Sequence, residues 1–500
     1  MSRAWWTLAS VAVLAGCSTL QPAYQRPAAP VAATFDFDGA GGPAASQIDW
    51  PLFFTDARLT RLLQLALANN RDLRVAVLNI EQARAQFQVR RADQLPTLNA
   101  GATATRQPAG DSINSAYSIG VAVTGYELDL FGRVRSLSDA ALASYLATAE
   151  ARKAVQISLI ANVATAHVAI VADDAQLELT QQTIATREDS LLLTKLKFDN
   201  GAISELDVQQ ALSLLEGAKA TLAQLQRQRA QDQNALVLLL GTPLPAQSLA
   251  QSLAQSLAQS LAQSPAQSPA QSPAQSPAQS PAQSQAELPP ALPLASQQLA
   301  ANLPAGLPSE LLARRPDVRQ AEQNLIAANA NIGAARAAFF PRIALTGSAG
   351  IASNSLSNLF KGGSFAWSFA PSVSLPIFDA GRNQANLDAA KVGREIAVAQ
   401  YEKSIQSAFR EVADALAGRA MLGVQLRAQQ AQAAALAQSF KLAELRYRNG
   451  AASYLDVLDA QRSLFAAQQA GLQVQALQAQ NAVSLYKVLG GGWNENAPAR

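Results

Sequence analysis

The chain has one cysteine, one histidine and two methionines in 500 residues, with only 6% aromatic and 15% charged side chains. A single cysteine excludes an intramolecular disulfide. A single histidine, with no Cys or His at metal-ligand spacing, gives no reason to expect a metal. Neither a Gly-rich phosphate loop nor a nucleophile elbow occurs, so no cofactor and no enzymatic activity are expected. Basic residues number 39 and acidic residues 36, a net charge of +3 without a basic cluster. That balance speaks against a nucleic-acid partner and against a polybasic membrane patch. What the chain does have is 49% hydrophobic residues and abundant alanine. This composition suits long Ala-rich helices better than a globular enzyme core.

The N-terminus begins with Arg3 and runs through "AWWTLASVAVLAGC", an apolar stretch too short to cross a bilayer as a helix and closed by small residues. Residues 1–16 are expected to be an export signal. Leu14, Ala15, Gly16 and Cys17 resemble a bacterial lipobox, which implies that Cys17 is acylated and becomes the mature N-terminus. Ser18 stands where that pattern places an inner-membrane retention Asp, so sorting to the outer membrane is implied.

The chain repeats itself. "RDLRVAVLNIEQARA" from Arg71 returns as "PDVRQAEQNLIAANA" from Pro316, and "NGAISELDVQQAL" from Asn200 returns as "NGAASYLDVLDAQ" from Asn449. Each half has the order helix, two strands, very long helix, second long helix. Positions such as Ile157, Ile160, Ala164, Val168 and Val171 alternate steps of three and four, the spacing of a coiled coil. The run from about Gly132 to Phe198 has no proline and would reach roughly 100 Å as a helix. The expected division is 1–16 signal, 17–55 lipidated segment, 56–241 first repeat, 242–308 linker, 309–490 second repeat and 491–500 tail. Within the linker, Ala246 to Ser284 repeats "AQSL" and then "AQSP", a low-complexity tract with no core-forming residues that reads as a disordered spacer.

Between the helices the apolar period drops to two. Tyr117, Ile119, Val121 and Val123 alternate with small or polar residues, as do Phe365, Trp367 and Phe369, followed after Pro371 by Val373, Leu375 and Ile377. Weaker alternation marks Leu98 to Ala104 and Ile343 to Ser348. Each segment has about the length a tilted strand needs to cross a bilayer. A small soluble sheet with one wet face would show the same pattern. If the strands do enter lipid, four cannot close a barrel, and open edges are not tolerated there. Two copies would give eight strands and a filled lumen; three would give twelve and room for a channel.

Longer stretches carry a family resemblance: "LPSELLARRPDV" from Leu307, "AARAAFFPRIALTG" from Ala334, "YEKSIQSAFREVADALA" from Tyr401, "SYLDVLDAQRSLF" from Ser453 and "LYKVLGGGW" from Leu485. They resemble the outer-membrane efflux ducts of the TolC type, in the lipoprotein branch serving multidrug pumps. The resemblance implies an α+β membrane protein. Its homotrimer shares a twelve-stranded transmembrane β-barrel, continued by a twelve-helix periplasmic α-barrel with a mixed equatorial domain. It also implies passive conduction of drugs or other small molecules, a periplasmic membrane-fusion adaptor, and an inner-membrane transporter of the resistance-nodulation-division type. The rival readings are a periplasmic adaptor and another lipid-anchored coiled-coil protein. An adaptor would carry lipoyl-like β-domains and lack bilayer-length strands.

Under the same resemblance Asn200, Gly201, Asn449 and Gly450 form the tips of two helical hairpins that an adaptor grips. Asp456 and Asp459 would line the periplasmic constriction, and Leu455 an apolar ring there. Tyr447 and Arg448 match residues that tie the closed tip, with Leu206 and Asp207 at a partner position. Ala452 replaces an arginine found in some members, which leaves the closing network open. His167, seven residues beyond Ile160 on the packed stripe, is expected to be a satisfied core or lumen residue. Asp173 and Asp174 are expected on a solvated helix face.

Overall fold

The computed structural model describes residues 19–32, 34–35, 48–110, 112–244, 288–297 and 314–492. Cys17, the tract from Ala246 to Ser284 and the C-terminal residues from Trp493 lie outside them. In chain order the elements are α1 (Trp50–Phe53), α2 (Ala57–Asn69), α3 (Arg71–Ala92), β1 (Leu98–Ala109), β2 (Ser112–Leu128), α4 (Arg133–Asp199) and α5 (Glu205–Leu240). The second half supplies α6 (Pro316–Ala337), β3 (Arg342–Ser353), β4 (Phe365–Ser374), α7 (Arg382–Arg448) and α8 (Tyr454–Val488). The repeat is visible in the lengths, since α4 and α7 each have 67 residues, and α5 and α8 have 36 and 35.

The chain forms two compact units, one holding residues 1–31, 76–152 and 316–407, the other residues 32–75, 153–315 and 408–500. The first unit contains one antiparallel sheet in the order β1-β2-β3-β4. Val121 pairs with Ala100 on one side and Ala349 on the other, so the two repeats meet along β2 and β3. β1 and β4 are left as edges, and the prolines of the sheet, Pro108 and Pro371, both stand in them, where a missing N–H is tolerated. Phe365, Trp367 and Phe369 of β4 are 69%, 71% and 63% exposed within one chain, so the apolar faces are left uncovered. β4 stops at Ser374, short of the expected Leu375 and Ile377, just before Pro376, which has no N–H for the ladder.

At the foot of the sheet Glu127 accepts from Arg133 through both carboxylate oxygens at 2.7 Å and from Arg342 at 2.6 Å. Two guanidiniums on one largely buried carboxylate offset the cost of removing it from water.

The second unit contains the main core. Phe53 stacks on Tyr486 with ring centroids 4.0 Å apart, and around them close Leu59, Leu62 and Leu63 of α2, Ile160 and Val163 of α4, Leu240 of α5, Leu416 of α7 and Val483 of α8. Among the described residues α4 is long and apolar enough to cross a membrane, yet half of that stretch is buried inside the protein, the signature of a packed core helix.

Candidate gate and tip

Both hairpin reversals lie in the second unit and are built alike. Gly201 and Gly450 take φ of 68° and 73°, the left-handed conformation glycine adopts without a Cβ penalty. Around them Ala202 N–H donates to Lys197 O and Ala451 N–H to Arg446 O, both at 2.8 Å, while Gly201 and Gly450 donate to Phe198 O and Tyr447 O. This paired bonding closes a helix C-terminus in the Schellman manner. Asn200 and Asn449 contribute the same way, each donating its side-chain amide to a carbonyl four residues back, Leu196 O at 2.6 Å and Leu445 O at 2.7 Å.

The helices that leave the tips are also capped alike. Ser204 N–H donates to Asp207 Oδ2 at 3.0 Å, and Ser453 N–H to Asp456 Oδ2 at 3.1 Å. Asp207 and Asp456 therefore occupy corresponding positions in the repeats and each completes a capping box. Asp459 pairs with Arg462 one turn on, and Arg448 with Glu444 within its own helix. Leu455, Asp456 and Asp459 are exposed, as is Leu206. In one chain Arg448 makes no bond to Leu206 or Asp207; its recorded ion pair is with Glu444.

One bond that does join the hairpins comes from a residue sequence reasoning missed. Lys197, in the last turn of α4, donates through Nζ to Tyr447 Oη at 3.0 Å, with the ammonium 4.3 Å from the tyrosine ring centroid. Tyr447 lies 5.2 Å from the Tyr454 ring, and Tyr454 Oη bonds Ser190 Oγ of α4 at 2.7 Å. Below them Val208, Ala211 and Leu215 of α5 pack with Val457 and Leu458 of α8. The two hairpins are thus stapled by a small polar cluster over an apolar seam. A signal existed, since Lys197 is the basic residue of a last turn, but its partner lies 250 positions away.

His167 is 2% exposed, and its Nε2 lies 3.0 Å from Asp56 Oδ2. The other oxygen of Asp56 caps α2 by accepting from Arg58 N–H at 2.7 Å, and Gln297 donates to Oδ2 at 2.9 Å. Burial pushes the Asp56 carboxyl up, yet the bonds from His167 and Gln297 outweigh it and hold the carboxyl far below its usual range. His167 therefore ties α4 to the start of α2. The cavity beside it, about 30 Å³ between Arg58, Asp174 and Arg229, has room for a single water.

The expectation that Asp173 and Asp174 share a solvated face fails for Asp173. It is 8% exposed, and its Oδ2 meets no hydrogen-bond donor among the described residues. The group facing it is Asp232 of α5, a second acceptor. Burial, then the Asp232 carboxyl and the nearby Asp174, push Asp173 up to about 7, with the Arg229 guanidinium opposing. Asp174 is more exposed and pairs with Arg229. The physical reason is that α4 is packed on more than one side, so a residue just off the heptad stripe still meets α5.

The sequence profile described as outer membrane efflux protein matches residues 62–242 and 307–491. The solvent efflux pump outer membrane protein SrpC of Pseudomonas putida is 46% identical over 497 residues, covering 96% of this chain and 97% of its own. The outer membrane protein OprJ of Pseudomonas aeruginosa strain PAO1 is 44% identical, with 97% of this chain and 95% of its own covered. Among solved structures, the open state of the MtrE outer membrane channel of Neisseria gonorrhoeae superposes with a TM-score of 0.82 at 40% identity. That match covers 95% of this chain and 99% of the channel.

Proposed function

The chain belongs to the outer membrane efflux protein family, a family of outer-membrane channels rather than enzymes, and we propose that it is the exit duct of a tripartite efflux pump. One observation carries this reading: a four-stranded sheet with two unpaired edges and uncovered apolar faces shares its chain with two long helical hairpins. In lipid such edges must pair, and in water they would invite aggregation. Three copies pair β4 of one with β1 of the next and close a twelve-stranded barrel. Bilayer-length strands also argue against a periplasmic adaptor.

On this reading Cys17 is acylated and anchors the mature chain in the outer membrane, since several acyl chains at about 0.8 kcal/mol per buried CH₂ hold firmly. The hairpin tips at Asn200, Gly201, Asn449 and Gly450 receive a periplasmic adaptor, which couples the duct to an inner-membrane transporter of the resistance-nodulation-division type. Leu455, Asp456 and Asp459 line the narrow end, where threefold symmetry gathers the carboxylates. Asp456 does so while capping α8, because its Oδ1 is not used by the cap. Tyr447, held by Lys197, ties the hairpins together. Arg448 can exchange Glu444 for Asp207 of a neighbouring copy past Leu206, because an exposed pair four residues apart is worth only about 0.3–0.5 kcal/mol. SrpC serves solvent efflux, and the 44% identical ArpC of Pseudomonas putida serves antibiotic efflux, so solvents and antibiotics are the classes of cargo we expect, and a duct of this kind leaves that choice to its pump.

Mass measurement of the assembly in mild detergent tests the reading, alongside export by cells whose own duct has been deleted. A trimer that restores export is expected. A stable monomer with its strands folded would sink the shared-barrel argument.

A further inference from the structure

The interface between the two hairpins is layered, because residues seven apart on packed helices return to the same face. One layer holds the polar staple, with Ser190 on α4, Tyr447 on α7 and Tyr454 on α8. The next layer lies about 10 Å further from the tips. It holds the residues seven positions away in each helix, Thr183, Phe440 and Gln461. These three line one open cavity of about 180 Å³ within the second unit. Phe440 also packs against the apolar seam under the tips, so the cavity continues that seam.

Side-chain chemistry explains the space. In the staple layer two aromatic rings stand 5.2 Å apart, and Tyr454 contributes a phenol whose hydroxyl bonds Ser190 Oγ at 2.7 Å. In the next layer Phe440 again brings a ring, but Gln461 takes the place of Tyr454 and has no ring to offer. Phe465, one turn further along α8, and Leu179 of α4 supply more apolar wall. The layer is therefore one ring short. An engineered cavity of about 150 Å³ lined by apolar side chains admits benzene, so the space here suits a single ring.

The polar groups of the lining narrow the ligand further. Among the described residues that line the cavity none is charged, so an ion would lose its water without gaining a partner. Arg187 lies 5.2 Å from the Phe465 ring, yet it donates to Leu214 O of α5 at 2.5 Å and does not line the cavity. Thr183 and Thr186 donate their hydroxyls to Leu179 O and Gln182 O of their own helix, at 2.8 and 3.0 Å. Gln461 is 8% exposed, and its amide has no hydrogen bond among the described residues. A buried amide of this kind is costly until something polar meets it, and it offers a hydroxyl both a donor and an acceptor. The first repeat has no such layer. Counting from the paired Asn200 and Asn449, Gln461 and Phe465 correspond to Leu212 and Glu216, and Thr183 corresponds to Gln432.

We propose that this cavity binds a small uncharged phenol. Its ring completes the layer as Tyr454 completes the one nearer the tips, and its hydroxyl bonds the Gln461 amide. Because α4 of one hairpin and α7 and α8 of the other wall the cavity, the occupant clamps the two hairpins together one layer beyond the staple. The clamp rests on reading the chain as a conducting duct, whereas the site does not.

The trimer in lipid nanodiscs is titrated with 4-fluorophenol and followed by fluorine NMR, with the signal from empty nanodiscs subtracted. Saturable line broadening is expected in the wild type, with at least severalfold weaker binding of fluorobenzene, which has the ring without the hydroxyl. Gln461→Tyr, which supplies the missing ring from the chain itself, should abolish binding. Gln461→Leu should lower the affinity for 4-fluorophenol to that for fluorobenzene, and keeps the test valid if the tyrosine variant assembles poorly. No saturable broadening in the wild type would overturn the site, whether water or a neighbouring copy fills the cavity. Equal binding in the wild type and both variants would put the phenol elsewhere and overturn it too. In planar bilayers the open fraction should fall severalfold with saturating 4-fluorophenol. It should fall likewise in Gln461→Tyr without ligand, and that variant should then ignore the phenol. Saturable binding with an unchanged open fraction would overturn the clamp. A trimer that binds the phenol but never conducts would instead overturn the duct reading.

Discussion

Replacing Asp173 by asparagine tests whether two carboxyls share a proton inside the first hairpin. In the folded chain Asp173 is raised from 3.8 to about 7 by burial and by Asp232. A group held above its unfolded value contributes stability that is complete at low pH and is lost as pH rises to the folded value. The window here runs from about pH 4 to about pH 7. At about 1.36 kcal/mol for each pH unit, the full gap is worth on the order of 4 kcal/mol, and the part between pH 5.5 and 7 about 2 kcal/mol. The effect should be local, since Asp173 joins α4 to α5 beside Arg229 and Asp174. Membrane assemblies also seldom unfold reversibly, so a melting curve is a poor reporter. Hydrogen exchange of peptides covering residues 168–176 and 228–236 reads opening directly. After correction for the intrinsic pH dependence of exchange, wild-type protection in these peptides should fall about thirtyfold between pH 5.5 and 8. The Asp173→Asn variant would keep a donor for Asp232 and lose the titration, so the slope should flatten and protection at pH 8 should exceed that of the wild type. Equal pH slopes in the two proteins would refute the shared proton.

Lys197→Ala removes the bond and the cation–π contact that join α4 to Tyr447; at about 1 kcal/mol for a part-exposed contact of this kind, the open fraction in planar-bilayer recordings should rise severalfold. An unchanged open fraction would return the closing role to Arg448. Asp456→Ala with Asp459→Ala should lower cation preference in the same recordings, because the carboxylates at the tip attract cations; unchanged ion preference would show that they do not line the bore. Deleting Leu249 to Pro281 should leave trimer yield and export within ordinary scatter, since the tract has no core-forming residues; export lost at normal trimer levels would reveal a partner site in it.

The parts of the fold that were legible are those with a period. Steps of three and four announced α4 and α7, steps of two announced the strands, and the NG pairs announced the reversals, because glycine answers a local backbone demand at each. The fate of polar side chains was less legible. Asp456 has one signature for a cap and for a channel wall, and within one chain the structure shows the cap. Asp173 looked solvated because a helix wheel assigns one buried stripe, while α4 is packed on more sides than one. Lys197 found Tyr447 through tertiary placement alone. The extended segment from Leu20 to Arg26 was silent because its partners lie far along the chain: its carbonyls accept from Asn329 and Arg336, and Tyr24 and Arg26 donate to Glu322, all in the second repeat.

The sheet order β1-β2-β3-β4 also bears on inheritance. Each chain offers β1 to one neighbour and needs another neighbour for β4, so a copy with a spoiled edge strand damages the assemblies it joins as well as itself. In a cell making equal amounts of sound and spoiled chains, about one trimer in eight would be free of the defect. Lesions in the edge strands should therefore behave as genetically dominant, whereas lesions that keep the chain from reaching the membrane should be recessive.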